Sequence, residues 1–214
     1  MEDAHLSDHH ATTERRAERR HVFRGQDGPP ETFSGGNFAI RLAPPAARFN
    51  LRMGAAAASA AGHLAGFDLA QPINTLRTTR TEGGDTRHSA RLGPDEWLLL
   101  ADGNDADTLS DVLAREPGDH AQTLVDISHR NIALEVIGDA AADVLNSGCP
   151  LDLGAGAFPE GRATRTLFAK SEIVLLRLAS PDHRPLFRVE CWRSFGRYVH
   201  AHLCDAATLI GTDS

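Results

Sequence analysis

The 214-residue chain has 22 Lys plus Arg against 29 Asp plus Glu, a formal net charge of -7 and a mean hydropathy of -0.29. This length is sufficient for one large domain or two small ones with a hydrophobic core, without disulfides or structural metals. The acidic balance argues against a nucleic-acid groove, because such grooves need basic residues concentrated on one face.

Cysteine usage and hydropathy predict where the protein works. Cys149, Cys191 and Cys204 are scattered and form no CxxC pair, so they encode neither a disulfide framework nor a zinc site. No apolar run approaches the ~20 residues of a membrane helix, and the N-terminus carries charges where a signal peptide would be apolar. We therefore expect a cytoplasmic protein with no membrane segment.

The N-terminal 32 residues differ in composition from the rest of the chain. They contain a mixed-charge cluster and a Gly-Pro-Pro break, and they show no apolar periodicity, which predicts a flexible or partner-ordered arm over residues 1–32. His5, His9 and His10 lie in this segment, but no scaffold there would fix them as metal ligands. We expect no metal site, a folded domain over residues 33–210 and a short tail over 211–214.

The first part of the domain reads as strands followed by a helix. Residues 38–42 and 48–53 have strand patterns separated by the Pro44-Pro45 bend, and the alanine-rich stretch 54–64 favours a helix. A Glu-Gly-Gly-Asp sequence at 82–85 predicts a hairpin between two further strands.

The next unit begins with a strand that is apolar on both faces, Glu96 to Ala101, which predicts a central position in a sheet. Asp105 or Asp107 would cap the helix that follows. Its apolar stripe is predicted from Leu109, Val112 and Leu113.

The second part of the domain repeats this order. Ile132, Leu134 and Val136 predict a strand, and Asp139 would cap a helix that ends at Asn146. A hairpin follows over 164–178, then a strand over 186–192. Ser194 would cap the last helix, whose stripe holds the residues Phe195, Tyr198, Val199, His202 and Leu203.

Strand, turn and helix thus recur four times, with hairpin strands between the units. More strands than helices, together with antiparallel hairpins, predict an α+β fold rather than a doubly wound parallel sheet. The Gly154-x-Gly156 sequence lacks the flanking strand and helix of a dinucleotide-binding loop, so we do not interpret it as a phosphate cradle.

Four separated blocks carry a family resemblance. They are RLGPDEWLLLA (Arg91 to Ala101), DISHRNIALEVIGDAAADVLNSGCPLDL (Asp126 to Leu153), TRTLFAKSEIVLLR (Thr164 to Arg177) and FRVECWRSF (Phe187 to Phe195). In this order the chain resembles, from about Phe33 to Leu209, the gamma subunit of bacterial heterotetrameric sarcosine oxidase. A more distant likeness is to the folate-binding aminomethyltransferase fold of the glycine cleavage system, which implies antiparallel sheets with packed helices in two pseudo-repeated halves.

The resemblance implies a subunit without its own catalytic centre. The assembled enzyme would oxidise sarcosine with oxygen to glycine, hydrogen peroxide and a one-carbon unit, either formaldehyde or methylene-tetrahydrofolate. It implies alpha, beta and delta subunits as partners. FAD, FMN, NAD, zinc and tetrahydrofolate would then be held by those subunits, and this chain would hold no cofactor.

The polar run Asp126 to Asn131 is the first candidate site. Asp126, Ser128 and His129 are residue types of a nucleophilic triad, but neighbours in an extended strand cannot form the serine to histidine hydrogen bond. Two interpretations stay open for His129, Arg130 and Asn131: they form a surface for a ligand or partner chain, or Arg130 makes an ion pair with an aspartate of this chain.

The second candidate site combines Trp192 and Arg193 with Arg162 and Arg165. Tryptophan and arginine are over-represented at interface hot spots, although a tryptophan at the end of a strand also fits a core. Arg162 and Arg165 lie beside the glycine-rich loop and would extend the same basic surface.

Two other functions compete with the subunit hypothesis. The first is a folate-dependent aminomethyltransferase that acts alone. It would place Asp126, His129, Arg130 and Asn131 at a pterin pocket, with Asp126 orienting the reacting amine. The second is an interaction module of a related amine dehydrogenase.

Overall fold

The structure, a computed structural model, describes Phe23 and residues 33–35, 38–103, 106–116, 120–180 and 182–211. Apart from Phe23 and Gly211, the predicted arm over 1–32 and the predicted tail over 211–214 lie outside these residues. Asp105, the alternative helix cap, also lies outside them. Phe23 is buried, with its ring edge-on to His200 at a centroid distance of 5.7 Å.

The described residues form the predicted strands and helices in order, together with four strands that were not predicted, at Phe33–Gly35, His63–Leu64, Phe67–Asp68 and Gln122–Asp126. The strands are β1 (Phe33–Gly35), β2 (Phe38–Leu42), β3 (Ala46–Met53), β4 (His63–Leu64), β5 (Phe67–Asp68), β6 (Thr75–Arg80), β7 (Thr86–Arg91), β8 (Glu96–Asp102), β9 (Gln122–Asp126), β10 (Asn131–Gly138), β11 (Ala163–Phe168), β12 (Ser171–Leu178) and β13 (Leu186–Trp192). The helices are α1 (Ala55–Ala61), α2 (Ala106–Arg115), α3 (Ala141–Asn146) and α4 (Gly196–Gly211), with a single 3-10 turn at Arg193–Phe195 before α4.

Two antiparallel sheets are packed face to face. One has six strands in the order β1-β2-β10-β13-β12-β11, and the other has five in the order β6-β7-β8-β3-β9. Side chains alternate between the two faces of each strand. On the outer face of the six-stranded sheet, side chains such as Leu134 and Val189 form a core with α3 and α4. On the outer face of the five-stranded sheet, side chains such as Phe49 and Leu99 form a core with α1 and α2. A third cluster, which includes Leu98, fills the space between the sheets. The layers are therefore helices, sheet, sheet, helices.

The central strand β8 shows why the sequence was apolar on both faces. Trp97 and Leu99 face the helices α1 and α2, whereas Leu98 and Leu100 face the six-stranded sheet. Strand β8 lies between β7 and β3, so the prediction of a central strand is confirmed.

The two sheets are related by a pseudo-twofold arrangement. The order β6-β7-β8-β3-β9 has the same pattern as β11-β12-β13-β10-β2. In each sheet, the last strand of this order comes from the other half: β9, which precedes β10 in sequence, pairs with β3, and β2, which precedes β3, pairs with β10. Thr75 pairs with Arg162, its counterpart in the other half. On either side of this pair, Leu76 N donates to Gly161 O and Ala163 N donates to Asn74 O. These two hydrogen bonds are equivalent under the pseudo-twofold. The predicted α+β fold in two pseudo-repeated halves is confirmed.

Three predicted local features are wrong. Ala140, not Asp139, is the N-cap of α3, and no side chain caps this helix end. Val112 is 38% exposed, so the buried stripe of α2 consists of Ala106, Leu109 and Leu113. Ser194 lies inside the 3-10 turn that precedes α4 and does not cap that helix.

Two other predictions, the end of α1 and the buried stripe of the last helix, differ from the structure. Helix α1 ends at Ala61, because Gly62 takes φ +62° and the chain turns into the small hairpin of β4 and β5 instead of continuing to Leu64. In the stripe predicted for the last helix, Val199 and Leu203 are buried, but Tyr198 is 38% exposed, and Phe195, in the 3-10 turn before α4, is 40% exposed. The helix and the turn before it therefore leave two aromatic side chains outside the core.

Candidate partner interface

The polar run between β9 and β10 forms a turn, not the extended strand that we predicted. Strand β9 ends at Asp126, and Ile127 O accepts hydrogen bonds from the backbone nitrogens of Arg130 and Asn131. Asp126 Oδ1 accepts from Ser128 N at 2.8 Å, and Ser128 Oγ accepts from Arg48 N at 2.9 Å. Asp126 and Ser128 thus hold the turn to the neighbouring strand, which is a structural role.

The turn brings the two candidate sites together. Asn131 is paired in register with Trp192, and Arg193 N donates to Arg130 O at 2.7 Å. The guanidinium carbon of Arg130 lies 5.7 Å from the centroid of the Trp192 ring, and Arg130 Nε donates to Asn131 Oδ1 at 3.2 Å. Cation–π packing of this kind positions both side chains at the surface.

The result is a surface, which we call the Trp192 surface, formed by the exposed residues His129, Arg130, Trp192 and Phe195 and the half-buried Arg193. Trp192 is 47% exposed and Phe195 40% exposed, and their ring centroids are 6.4 Å apart. Asn131 is buried, so it is not itself part of this surface, but its side chain accepts the hydrogen bond that orients Arg130. In the described part of the chain, Arg130 makes no ion pair with an aspartate or glutamate.

Arg165, which we expected at a partner interface, makes an ion pair within its own chain. Its guanidinium forms two hydrogen bonds to Glu96, at 2.7 Å and 3.3 Å, and so joins β11 to β8 of the other sheet. Burial alone would raise the pKa of Glu96, but hydrogen bonds from Arg165 and Asn50 outweigh it and lower the pKa. Arg162 lies at the pseudo-twofold pairing with Thr75. Both arginines contact the partner sheet of their own chain.

The cavity beside the turn is too small for a pterin. Its volume is about 30 Å³, with Ile127, Arg130, Asn131, Arg165 and Trp192 among the residues that line it. A space of this size holds one or two water molecules, whereas ligand pockets of proteins have about 300–1,000 Å³. Arg130 and Asn131 line this cavity, whereas Asp126 and His129 do not, so these four residues do not surround a space with room for a pterin.

A buried ionic cluster that the sequence did not reveal lies between the sheets. Glu190 accepts from Arg48 Nε at 2.7 Å and from Arg188 Nε at 2.8 Å, and all three side chains are buried. Burial would raise the pKa of Glu190, but the charges and hydrogen bonds of the two arginines lower it. The signal in the sequence was the alternation of Arg188 and Glu190 with apolar residues in a central strand, which places two charges on a covered face.

Cys191 and Cys204 are not activated as nucleophiles. Cys204 Sγ lies 3.6 Å from His200 Nε2, but burial raises the pKa of the Cys204 thiol and lowers the pKa of His200. Burial also raises the pKa of Cys191 to about 12. These thiols are protonated at neutral pH, where a catalytic cysteine needs the thiolate.

The described residues contain neither a cluster of metal ligands nor a membrane-spanning helix. Among the described residues, no three His, Cys, Asp or Glu side chains converge as metal ligands. No helix in the described ranges is long and apolar enough to span a bilayer.

Comparison with known sequences extends over most of the domain. The model of the "Sarcosine oxidase, gamma subunit family" matches residues 53–209. "Sarcosine oxidase subunit gamma" of Corynebacterium sp. (strain U-96) is 38% identical over 117 residues, which are 54% of this chain and 53% of that protein. The Arthrobacter sp. protein of the same name is 38% identical over 100 residues, 46% of this chain and 47% of the relative. The matched region spans about half the length of these curated relatives.

Comparison with solved structures agrees. A chain of the heterotetrameric sarcosine oxidase from Corynebacterium sp. U-96, solved with pyrrole 2-carboxylate, matches with a TM-score of 0.66 and 27% identity over 85% of this chain and 89% of that one. Glycine cleavage system aminomethyltransferase T from Bartonella henselae matches with a TM-score of 0.59 and 15% identity over 78% of this chain and 45% of that one, which shows a shared fold. Because the family model spans residues 53–209, most of its length, the chain belongs to the sarcosine oxidase gamma subunit family.

Proposed function

We propose that this chain is the gamma subunit of a heterotetrameric sarcosine oxidase, and that its role is to hold the assembly together. The observation that carries the proposal is the Trp192 surface, in a chain of this family. This surface contains two exposed aromatic rings, which are not packed in the core, and arginines. Aromatic residues and arginine are enriched at protein interfaces, and tryptophan and arginine dominate their hot spots.

The geometry of this surface suits a protein partner. The pairing of β10 with β13 fixes the backbone on both sides of it, so little side-chain and backbone entropy is lost when a partner binds. Arg130 is held by Asn131 and Trp192, which orients its guanidinium before any partner arrives. We expect the partner to provide an apolar pocket for Trp192 and a carboxylate for Arg130.

The remaining polar residues support a structural rather than a catalytic role for the chain. Arg48, Glu190 and Arg188 join the two sheets, and so do Glu96 and Arg165. On this proposal the chemistry belongs to other subunits: alpha, beta and delta chains that hold FAD, FMN, NAD, zinc and tetrahydrofolate. The assembly would work in the cytoplasm, where free thiols such as Cys149, Cys191 and Cys204 stay reduced.

The test is a pull-down of the tagged chain from its native cell extract. We expect a yellow complex with three further chains that produces hydrogen peroxide when sarcosine is added. Co-purified partners that do not oxidise sarcosine would indicate that the chain is an interaction module of a related amine dehydrogenase. A colourless, solitary chain would contradict the proposal.

The folate-dependent alternative has its own discriminating measurement. The cavity of about 30 Å³ at the turn disfavours a pterin there. We expect titration of the purified chain with tetrahydrofolate to give no saturable binding that depends on Arg130. Saturable binding that is lost in Arg130→Ala would favour a transferase.

A further inference from the structure

A second cavity lies at the opposite end of the space between the sheets. Its volume is about 500 Å³, and the β6–β7 hairpin, the end of β8 and strands β10 and β13 line it. Among its lining side chains are those of Thr78, Thr86, His88, Asp102, Glu135 and Arg188. The size is that of pockets that bind small organic molecules.

The two ends of the inter-sheet space are counterparts under the pseudo-twofold. The strand registers make Thr78 of β6 the counterpart of Arg165 on β11, and Leu186 of β13 the counterpart of Glu96 on β8. At the first end, the ion pair of Arg165 with Glu96 fills the space and leaves about 30 Å³. At the second end a threonine and a leucine occupy these positions, and the space stays open.

An arginine faces the open end with one nitrogen unpaired. Arg188 is 3% exposed, and its Nε donates to Glu190. Its buried Nη2 has no hydrogen-bond partner among the described residues, and Arg188 lines the cavity. A buried guanidinium N–H without an acceptor is costly, and a ligand oxygen that reached Arg188 from the cavity would relieve this cost.

The charge around the cavity favours an anion. Glu190 is one carboxylate shared by two arginines, Arg48 and Arg188, so this cluster has a surplus positive charge. Glu135 is neutralised by Arg41, whose Nη2 lies 2.7 Å from Glu135 Oε2. Asp102 and Arg80 both line the cavity, and their formal charges cancel. One uncompensated positive charge remains, and it belongs to the cluster that contains Arg188.

Neutral hydrogen-bonding groups stand beside the arginine. Thr78 Oγ1 and His88 Nδ1 share a hydrogen bond of 2.9 Å, and the Thr86 hydroxyl lies on the same wall. Burial and then the charge of Arg188 lower the pKa of His88 to about 4, against an opposing effect of Asp102. The imidazole is neutral at pH 7, so it adds polarity without a second charge.

We propose that this cavity binds a small organic carboxylate, with Arg188 Nη2 donating to the carboxylate and the β6–β7 hairpin covering the organic part. A carboxylate is favoured because one guanidinium nitrogen and a single surplus charge match a monoanion, whereas a phosphate dianion needs more donors. The proposal is independent of the subunit role, since it concerns a face formed by residues outside the Trp192 surface.

The test uses the purified 214-residue chain and benzoate as the probe, with binding followed by ligand-observed NMR and calorimetry. Benzyl alcohol is the neutral probe of matched shape, and inorganic phosphate is the competing anion. We expect saturable binding of one benzoate, and binding of benzyl alcohol and phosphate that is weaker by about tenfold or more. No saturable benzoate binding, or equal binding of either other probe, would overturn the proposal.

Two variants locate the site. Arg188→Lys keeps the charge beside Glu190 but removes Nη2, and Thr86→Trp fills the cavity from a partly exposed strand position. Each is expected to weaken benzoate binding by about tenfold. Thr123→Trp, on the exposed part of β9 and outside the cavity, is the matched control and should bind as the wild type does. Since Thr86→Trp leaves the ionic cluster intact, unchanged binding in this folded variant would overturn the proposal even if Arg188→Lys fails to fold.

Discussion

Arg48 Nε donates to Glu190 Oε2 at 2.7 Å and thereby joins the two sheets of the domain through their covered faces. Arg48 lies on β3 and Glu190 on β13, which are 142 residues apart in sequence. The contact connects the two pseudo-repeated halves at their centre, where the surrounding side chains are Leu98, Leu100 and Val174.

The first prediction concerns this ion pair. Glu190→Gln leaves two buried arginine charges with no carboxylate between them, and we expect a loss of about 3–5 kcal/mol in the free energy of unfolding. Urea denaturation measures it. Asp111→Asn removes the acid of the exposed pair with Arg115 and should change stability by less than about 0.5 kcal/mol. Equal effects in the two variants would show that the buried contact does not hold the sheets together.

The second prediction concerns pH. Burial and the charge of Arg188 lower the pKa of His88 from 6.5 to about 4 in the folded chain, despite an opposing effect of Asp102. Between these two values the unfolded chain binds the proton and the folded chain does not, so stability is complete above pH 6.5 and falls as the pH drops towards 4. His88→Gln should therefore reduce the loss of stability between pH 7.5 and pH 5.

Urea midpoints at these two pH values measure the effect. His129→Gln, which removes an exposed imidazole, is the matched control. If His88→Gln and the wild type lose the same stability over this interval, His88 does not titrate as described.

The third prediction uses a close approach behind α3. A Cβ on Gly148 would lie 2.8 Å from Cε2 of Phe168, a ring that is fully buried. Gly148→Ala should therefore destabilise the fold by about 1–3 kcal/mol through overpacking. Gly156→Ala is the matched control, since no atom lies within 4 Å of its Cβ. Thermal unfolding compares the two variants, and equal melting temperatures would contradict the packing described here.

Much of the fold was predictable because apolar period and turn chemistry are local properties. Residues Ile132, Leu134 and Val136 marked β10, and the Glu-Gly-Gly-Asp turn between β6 and β7 was identified from glycines, of which Gly84 takes φ +88°. The β4–β5 hairpin was missed, since its strands have two residues each and show no period. The cap at Asp139 was wrong because α3 begins one residue later, with Ala140 as its N-cap.

The candidate site was only partly predictable, for a physical reason. The sequence singled out Arg130 and Trp192 separately, but their stacking depends on the register of β10 with β13, which is a tertiary property. The partners of Arg165 and Glu190 lie 69 and 142 residues away. Long-range ion pairs of this kind carry no local signal, so the sequence did not show that Arg165 also joins the two sheets of its own chain.

The most direct test of the account is native mass spectrometry of the complex after co-expression of the tagged chain with the other subunits. The wild type should give a four-chain assembly, and Trp192→Ala and Arg130→Ala should each lower its yield by about tenfold or more while the free chains keep the wild-type melting temperature. Leu167→Ala, at a side chain that is 51% exposed on β11, is the matched control and should assemble normally. Full assembly of both Trp192→Ala and Arg130→Ala would contradict the claim that the Trp192 surface holds this subunit in the complex.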